Sequence, residues 1–236
     1  SKLAIEKNSE EVKKQLVRAI RMCGVVTVPS SIAFLLFGSL MTEVLYFGIS
    51  LDDSRYIGYV LSALSFGLVA FSINLVLIRG FNAFEDTRTQ VLSILIINII
   101  SSALSYLFLA TLKSEYVTIG LGLAFAISYI FGLFVTIYLL RRHIGRMNYS
   151  HFLGQHLRLY AASLLAMLPF FAITYLLNWN SDDAPALFGL LRLAFVLIGG
   201  GVTFVLIAHA FKITEMSTLK DFAVSLFKKR RSSRQK

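Results

Sequence analysis

The chain has 236 residues and a formal net charge of +10, and 56% of its residues are hydrophobic while only 15% are charged. About a quarter of the residues in a soluble domain are charged. The apolar surface of this chain is therefore too large to be buried in the single hydrophobic core of a soluble domain. Disorder and collagen are excluded by the composition, and the single cysteine, Cys23, can form no internal disulfide. The composition therefore predicts an integral membrane protein.

Six charge-free runs are each long enough to cross a membrane as a helix, which takes about 20 mainly apolar residues. The runs are unbroken, whereas a transmembrane barrel would show short alternating segments. We predict an all-α fold, a polytopic membrane helix bundle, in which residues 22–211 form the membrane domain. Its six transmembrane helices fall at approximately residues 22–42, 56–78, 89–112, 116–140, 159–181 and 192–211.

Lysine and arginine crowd one side of these spans. Twenty of the 23 lie before the first span, after the second and fourth spans, and in the tail, while the opposite loops hold only Arg55 and Lys113. The positive-inside rule therefore places both termini in the cytoplasm. Residues 1–21 are predicted as a cytoplasmic lead-in helix. Residues 212–236 are predicted as a basic cytoplasmic tail, either with an interfacial helix or disordered.

The position of this positive charge beside span ends argues against nucleic acid as a partner. We expect the tail to bind anionic membrane lipids instead, since clustered basic residues next to a membrane are attracted to anionic headgroups. The basic run that carries this prediction consists of Lys228, Lys229, Arg230 and Arg231.

Small residues and prolines predict how the spans pack. Pro29 in the first span and Pro169 in the fifth each remove a backbone hydrogen bond and predict a kink, which suits either a moving transport helix or a static bundle. The fourth span carries small residues at every fourth position, which predict a close contact with another helix. These are Gly120, Ala124, Ser128 and Gly132.

The sequence carries no recognisable catalytic residue, metal site or cofactor site, so we predict that the chain is not an enzyme. No Asp or Glu falls within the six predicted spans, and a proton relay built from membrane carboxylates is therefore not expected. His143, His151 and His156 crowd one basic loop without a carboxylate or cysteine at metal-ligand spacing. We interpret these histidines as interfacial.

Polar side chains near the spans are the candidates for contact with a substrate. Asn74 and Asn98 either bond a neighbouring helix or contact the substrate. Arg192 either snorkels to the outer interface or lines a polar cavity. The candidate substrate-binding residues are Arg79, Arg88, Arg192, Asn74 and Asn98.

The loop after the second span, residues 79–90, is the most distinctive segment of the chain. Asp86 and Thr87 are suited to cap the next helix. The two arginines of the loop either pair with its two acidic residues or bind phosphate.

This loop resembles the MurJ/MviN family of lipid II flippases, whose members carry a pattern close to R-x-F-Y-A-x-x-D-T-[KR]-T-P at this junction. Asn82 replaces the usual Tyr, and Gln90 replaces the usual Pro. The segment around Val28 and Pro29 and the start of the fourth span are also similar, so that the resemblance covers roughly residues 10–145. The residues that match the motif are Arg79, Phe81, Ala83, Asp86, Thr87, Arg88 and Thr89.

The resemblance implies the C-terminal portion of a transporter of the MOP exporter superfamily. Such a protein flips lipid-linked peptidoglycan precursor (lipid II) across the bacterial plasma (inner) membrane by alternating access, using basic groups to receive the pyrophosphate. The remaining N-terminal spans of the full-length protein are then partners of this chain, which alone is expected not to transport. Two alternatives stay open: another polyprenyl-linked oligosaccharide exporter of the same superfamily, and a non-transporting membrane scaffold for cell-wall synthesis.

Overall fold

The structure, a computed structural model, describes residues 2–46, 50–145, 149–176 and 186–211. The tail at 212–236 and the end of the predicted fifth span lie outside the described residues. The interfacial helix and the lipid contact predicted for the tail therefore stay predictions.

Six long helices account for nearly all of the described chain. Each is long and apolar enough to cross a membrane, which confirms the all-α, six-span fold class. Helices suit hydrocarbon because they satisfy every backbone hydrogen bond within one segment. The helices are α1 (Lys2–Leu45), α2 (Leu51–Ala83), α3 (Thr87–Thr111), α4 (Val117–Ile144), α5 (Tyr149–Leu176) and α6 (Ala186–Ala210), with one 3-10 turn at Ser114–Tyr116.

The helices extend beyond the charge-free runs that predicted them. α1 is one helix that includes both the predicted lead-in segment and the first span, and α2 begins before residue 56 and continues past residue 78. Charged residues end the apolar run, but they do not end a helix, because they lie at the membrane interface where water solvates them. The charge-free runs therefore predict the apolar part of a helix and not its ends.

The break in α1 lies at Phe37 rather than at Pro29. Phe37 has φ −118° and ψ 15°, outside the helical range, about two turns beyond the proline. The Ser62 hydroxyl of α2 lies 3.3 and 3.2 Å from the carbonyl oxygens of Phe34 and Leu35, and 3.0 Å from the Gly58 carbonyl oxygen of its own helix. The α1 carbonyls lie just before the break, so the neighbouring helix places a hydroxyl donor where the regular ladder of α1 is interrupted.

α1 lies at the centre of the bundle. It packs against α2 on one side and against α5 and α6 on the other, α4 packs behind α2, and α3 packs mainly against α4. α2 and α5 thus both contact α1 but have little contact with each other.

Small residues bring the helices close together. A Cβ atom added to Gly67 of α2 would lie 2.5 Å from the Cα of Ala126, and one added to Gly122 would lie 3.2 Å from the Cβ of Ala63. The predicted stripe on α4 is buried, and its Gly132 packs on Ile97 of α3. α4 therefore carries two smooth faces, one for α3 and one for α2, of which the sequence indicated only the first.

The bundle has two chemically different ends. The arginine-rich end, as we call it, holds the α2–α3 and α4–α5 connections, and Ser9 of α1 reaches it by donating to the carbonyl of His143 at 2.8 Å. At the arginine-poor end, α1 and α3 end and α2 and α4 begin. There Thr42 of α1 donates its hydroxyl to the carbonyl oxygen of Ser54 in α2, at 2.7 Å.

We expect Gly67→Ala to lower the stability of the protein. The added methyl group would press on the backbone of Ala126, and overpacking of this kind costs about 1–3 kcal/mol. Gly201→Ala is the control, since no atom lies within 4 Å of its added Cβ. The measurement is the thermal midpoint of purified protein in detergent. Equal midpoints for the two variants would contradict the close α2–α4 contact.

Candidate functional site

The segment at residues 79–90, which we call the motif loop, joins α2 to α3 at the arginine-rich end. Phe81 is fully buried, and the adjacent Gly80 packs against Leu16 of α1 and Leu140 of α4. A side chain at Gly80 would collide with both leucines. The loop is therefore anchored in the bundle by its apolar residues.

The turn itself is held by backbone hydrogen bonds. The N–H of Asp86 donates to the carbonyl oxygen of Phe81 at 3.0 Å, and Glu85 has a φ of 55°. Asp86 then caps α3, because its Oδ1 accepts from the N–H of Thr89 at 3.1 Å. The sequence predicted this cap.

Asp86 also contacts His143 near the end of α4. The Nε2 atom of His143 lies 2.7 Å from Oδ2 of Asp86, and the imidazole ring stacks on Phe84 with centroids 5.0 Å apart. Hydrogen bonds from Thr89 and then from His143 lower the pKa of Asp86 to about 2. The carboxylate therefore ties α4 to the start of α3. His143, interpreted from the sequence as simply interfacial, is part of this contact.

Arg79 and Arg88 do not pair with the acidic residues of the loop. Both side chains are exposed, and within the described residues neither has an ion pair. The predicted salt-bridged turn is wrong because Asp86 is used by Thr89 and His143. Two guanidinium groups are thus presented at the surface of the arginine-rich end, where they are available to an anionic group.

Asn74 belongs to a buried hydrogen-bond chain. Its Oδ1 accepts from Thr136 at 2.7 Å, and Thr136 lies 2.7 Å from Ser93. Its amide nitrogen donates to the carbonyl oxygens of Ala70 and Tyr129, both at 3.1 Å. The chain links α2, α4 and α3, and it leaves Asn74 fully buried. Of its two predicted roles, the structure places Asn74 in the interhelical bond.

Asn98 lies in a different environment. It is exposed near the middle of α3, and its amide nitrogen donates to the Ile94 carbonyl of its own helix at 3.0 Å. Arg88 and Ser102 are also exposed, and at 100° per residue the three positions lie within an arc of roughly 80°, which the exposed apolar residues Val91 and Leu95 share. We call Arg88, Asn98 and Ser102 the α3 polar stripe. An amide on a lipid-facing surface is costly, so the stripe is suited to water or to another protein surface.

Arg192 is buried at the arginine-poor end. Its side chain is 2% exposed and forms an ion pair with Glu43 of α1 at 3.0 Å. The guanidinium also lies 5.5 Å from the ring centroid of Phe188. The snorkelling prediction for Arg192 is wrong, because a cation this buried needs a partner within the protein.

Glu43 lies just outside the predicted spans, none of which contains an acidic residue. It falls one residue beyond the predicted first span, yet α1 continues to Leu45. The predicted span was defined as a stretch without charged residues, so it could not include this glutamate. Its buried partner on α6 comes from far along the chain and could not be read from local sequence.

His156 also differs from its interfacial interpretation. It is 6% exposed, and a Cβ atom added to Gly24 of α1 would lie 2.8 Å from its Nε2. The imidazole therefore fills the space that this glycine leaves between α1 and α5. The side chain of His151 lies outside the described residues.

We expect Thr136→Val to destabilise the bundle by about 1–2 kcal/mol, since it leaves Asn74 and Ser93 without their buried hydrogen-bond partner. Thr118→Val, at an exposed position of the same helix, is the matched control. Thermal unfolding in detergent measures both. A Thr136→Val midpoint as high as that of the control would mean that the chain contributes nothing to stability.

The lowered pKa of Asp86 predicts that the protein loses stability in acid. Its pKa is lowered from 3.8 to about 2, so its stabilising contribution is complete above the higher value and is lost as the pH falls through this range. Asp86→Asn retains an oxygen for the cap but does not titrate, and we expect its thermal midpoint to fall less over the same range. Asp52→Asn, at a 95% exposed carboxylate, is the control. If the thermal midpoint of Asp86→Asn fell with pH as much as that of the wild-type protein, the prediction would be contradicted.

Comparison with known protein families agrees with the resemblance carried by the motif loop. The sequence model of the family described as "Lipid II flippase MurJ" matches residues 1–199, which extends the match beyond residues 10–145 to include α5 and the first half of α6. No curated protein matches the chain significantly. The family match covers most of the chain, whose described residues include six helices long and apolar enough to span a membrane. The chain belongs to the MurJ lipid II flippase family.

Proposed function

We propose that this chain is the C-terminal part of a transporter that flips lipid II, the lipid-linked peptidoglycan precursor, across the bacterial plasma membrane by alternating access. The family match supports transport rather than catalysis. The arginine-rich end faces the cytoplasm in this proposal, as the distribution of lysine and arginine indicates.

The observation that carries the proposal is the α3 polar stripe. α3 has only two buried residues among its 25, so most of its surface is uncovered by the described helices. Arg88 begins the stripe at the arginine-rich end, and Asn98 lies about 15 Å further along the helix axis. Exposed Val91 and Leu95 lie on the same arc, so the stripe offers separate polar contacts to a charged headgroup, which cannot enter hydrocarbon unaided, rather than a continuous path.

The two exposed arginines of the motif loop are suited to receive the pyrophosphate. A guanidinium group binds phosphate oxygens through two parallel hydrogen bonds, and neither Arg79 nor Arg88 is used in an ion pair with the described residues. Asn98 extends the same surface toward the membrane centre. Asn74 and Arg192 act differently in this proposal: both hold the bundle together, since their polar atoms bond other helices.

The test replaces Arg88 by Gln and Asn98 by Leu in the complete gene product. We expect each variant to lower the rate of lipid II transfer across proteoliposome membranes by about tenfold, the effect of losing one charge-assisted or buried polar contact. Arg142→Gln is the matched control, because Arg142 is exposed at the same end and its loss removes the same charge.

Equal losses in Arg88→Gln and Arg142→Gln would show that overall charge matters and that the stripe does not. Transfer of other polyprenyl-linked oligosaccharides in preference to lipid II would favour a different exporter of the superfamily. Full complementation of a flippase-depleted strain without any measurable transfer would favour a scaffold.

A further inference from the structure

α3 and α4 run antiparallel and meet in three residue pairs that share one register. The pairs are Ile97 with Gly132, Ser93 with Thr136, and Asp86 with His143. Steps of four and then seven residues along α3 are matched by equal steps along α4. The Asp86–His143 contact is therefore the last member of one continuous interface, at the arginine-rich end, although Asp86 lies just before α3 begins.

The first turn of α3 depends on the Asp86–His143 contact for its position against α4. Among the residues of α3, all of which the structure describes, only Ser93 and Ile97 are buried, and both lie beyond the first turn. Arg88 lies within that turn and is exposed. The connection of this turn to α4 runs instead through Asp86, which caps the turn and contacts His143. The position of the Arg88 backbone therefore follows that of Asp86.

His143 is itself held in place by contacts with three other residues. Its ring stacks on Phe84 with centroids 5.0 Å apart, and it lies edge-on to Phe81 at 6.5 Å. Its backbone carbonyl oxygen accepts from the Ser9 hydroxyl of α1 at 2.8 Å. An ionised carboxylate only accepts hydrogen bonds, so Nε2 of His143 carries the hydrogen in its 2.7 Å contact with Asp86. A donor locked by packing in this way fixes the group that it contacts.

We propose that His143 is a positioning residue for pyrophosphate recognition: by donating to Asp86 it holds the first turn of α3 against α4, and so keeps the Arg88 guanidinium where the headgroup meets it. The inference rests on the proposed function, in which Arg88 binds the pyrophosphate of lipid II. His143 does not touch the substrate and acts only through Asp86. A guanidinium displaced by about 1 Å loses the alignment of its two parallel hydrogen bonds with phosphate oxygens, which costs as much as its removal. Arg79 lies on α2, so the contact governs Arg88 alone of the two arginines.

The experiment measures lipid II transfer by the complete gene product in proteoliposomes, with substitutions at His143. His143→Phe keeps a ring to stack on Phe84 but has no donor, and we expect it to lower the transfer rate by about tenfold, as Arg88→Gln does. His143→Gln places an amide N–H donor near the position of Nε2 and should recover most of the wild-type rate. His209→Phe, at an exposed histidine near the end of α6, is the matched control. Equal rates for the two phenylalanine variants, or no recovery in His143→Gln, would overturn the inference.

A double variant separates positioning from a general loss of stability. Because His143 acts through Arg88, His143→Phe should lower the rate of the wild-type protein but not that of protein already carrying Arg88→Gln. A residue with a purely structural role would lower both rates by the same factor, and that outcome would overturn the inference. Asp86→Ser keeps an oxygen for the cap but is too short to reach His143, so it should show the same loss and the same dependence on Arg88. It supplies the test if His143→Phe does not fold.

A distance measurement tests the positioning without transport. Spin labels on exposed Tyr59 of α2 and Val91 of α3 report on the arginine-rich part of α3, and labels on Tyr59 and Leu109 report on its opposite end. We expect His143→Phe to broaden the first distance distribution in double electron–electron resonance and to leave the second unchanged. An unchanged first distribution would overturn the inference.

The failure of the inference and that of the proposed function give different results. A low rate for Arg88→Gln with a normal rate for His143→Phe rejects the inference alone. Full transfer by Arg88→Gln rejects the role of Arg88 in the proposed function, and the inference with it.

Discussion

The architecture depends on close approach between helices whose facing residues are small. Apolar side chains gain little by leaving lipid for a protein interior, so membrane helices need tight contacts and hydrogen bonds to associate. Gly67 against Ala126 and Gly132 against Ile97 provide such contacts and place α4 between α2 and α3. Once the backbones are this close, the short hydroxyls of Ser93 and Thr136 can reach Asn74.

Polar groups inside the bundle are paired with partners on neighbouring helices. Arg192 would be costly alone in a membrane, but Glu43 compensates it and joins the first helix to the last. At the break in α1 near Phe37, the hydroxyl of Ser62 in α2 lies beside the carbonyl oxygens of Phe34 and Leu35. Where polar groups remain exposed, as in the α3 polar stripe and in Arg79, they lie on surfaces that the described helices leave uncovered. This contrast separates structural polar residues from candidates for transport.

The motif loop combines both kinds of residue within a few positions. Phe81 is buried and Asp86 is fixed by Thr89 and His143, so the loop has a defined shape. Arg79 and Arg88 flank this rigid part and are exposed. A family motif of this composition therefore combines two kinds of residue: its apolar and capping residues hold the turn, and its arginines are exposed at the surface.

The sequence by itself determined the membrane class, the six spans and the cap at Asp86, because apolar runs and capping residues act locally. Only the tertiary structure decided which polar residues are paired. Glu43 and Arg192 are 149 residues apart in the chain, and Asp86 and His143 are 57 apart. Such pairs depend on how the helices pack, which the hydropathy pattern leaves open. For the same reason Asn74 and Asn98, alike as isolated amides in the sequence, differ completely in burial.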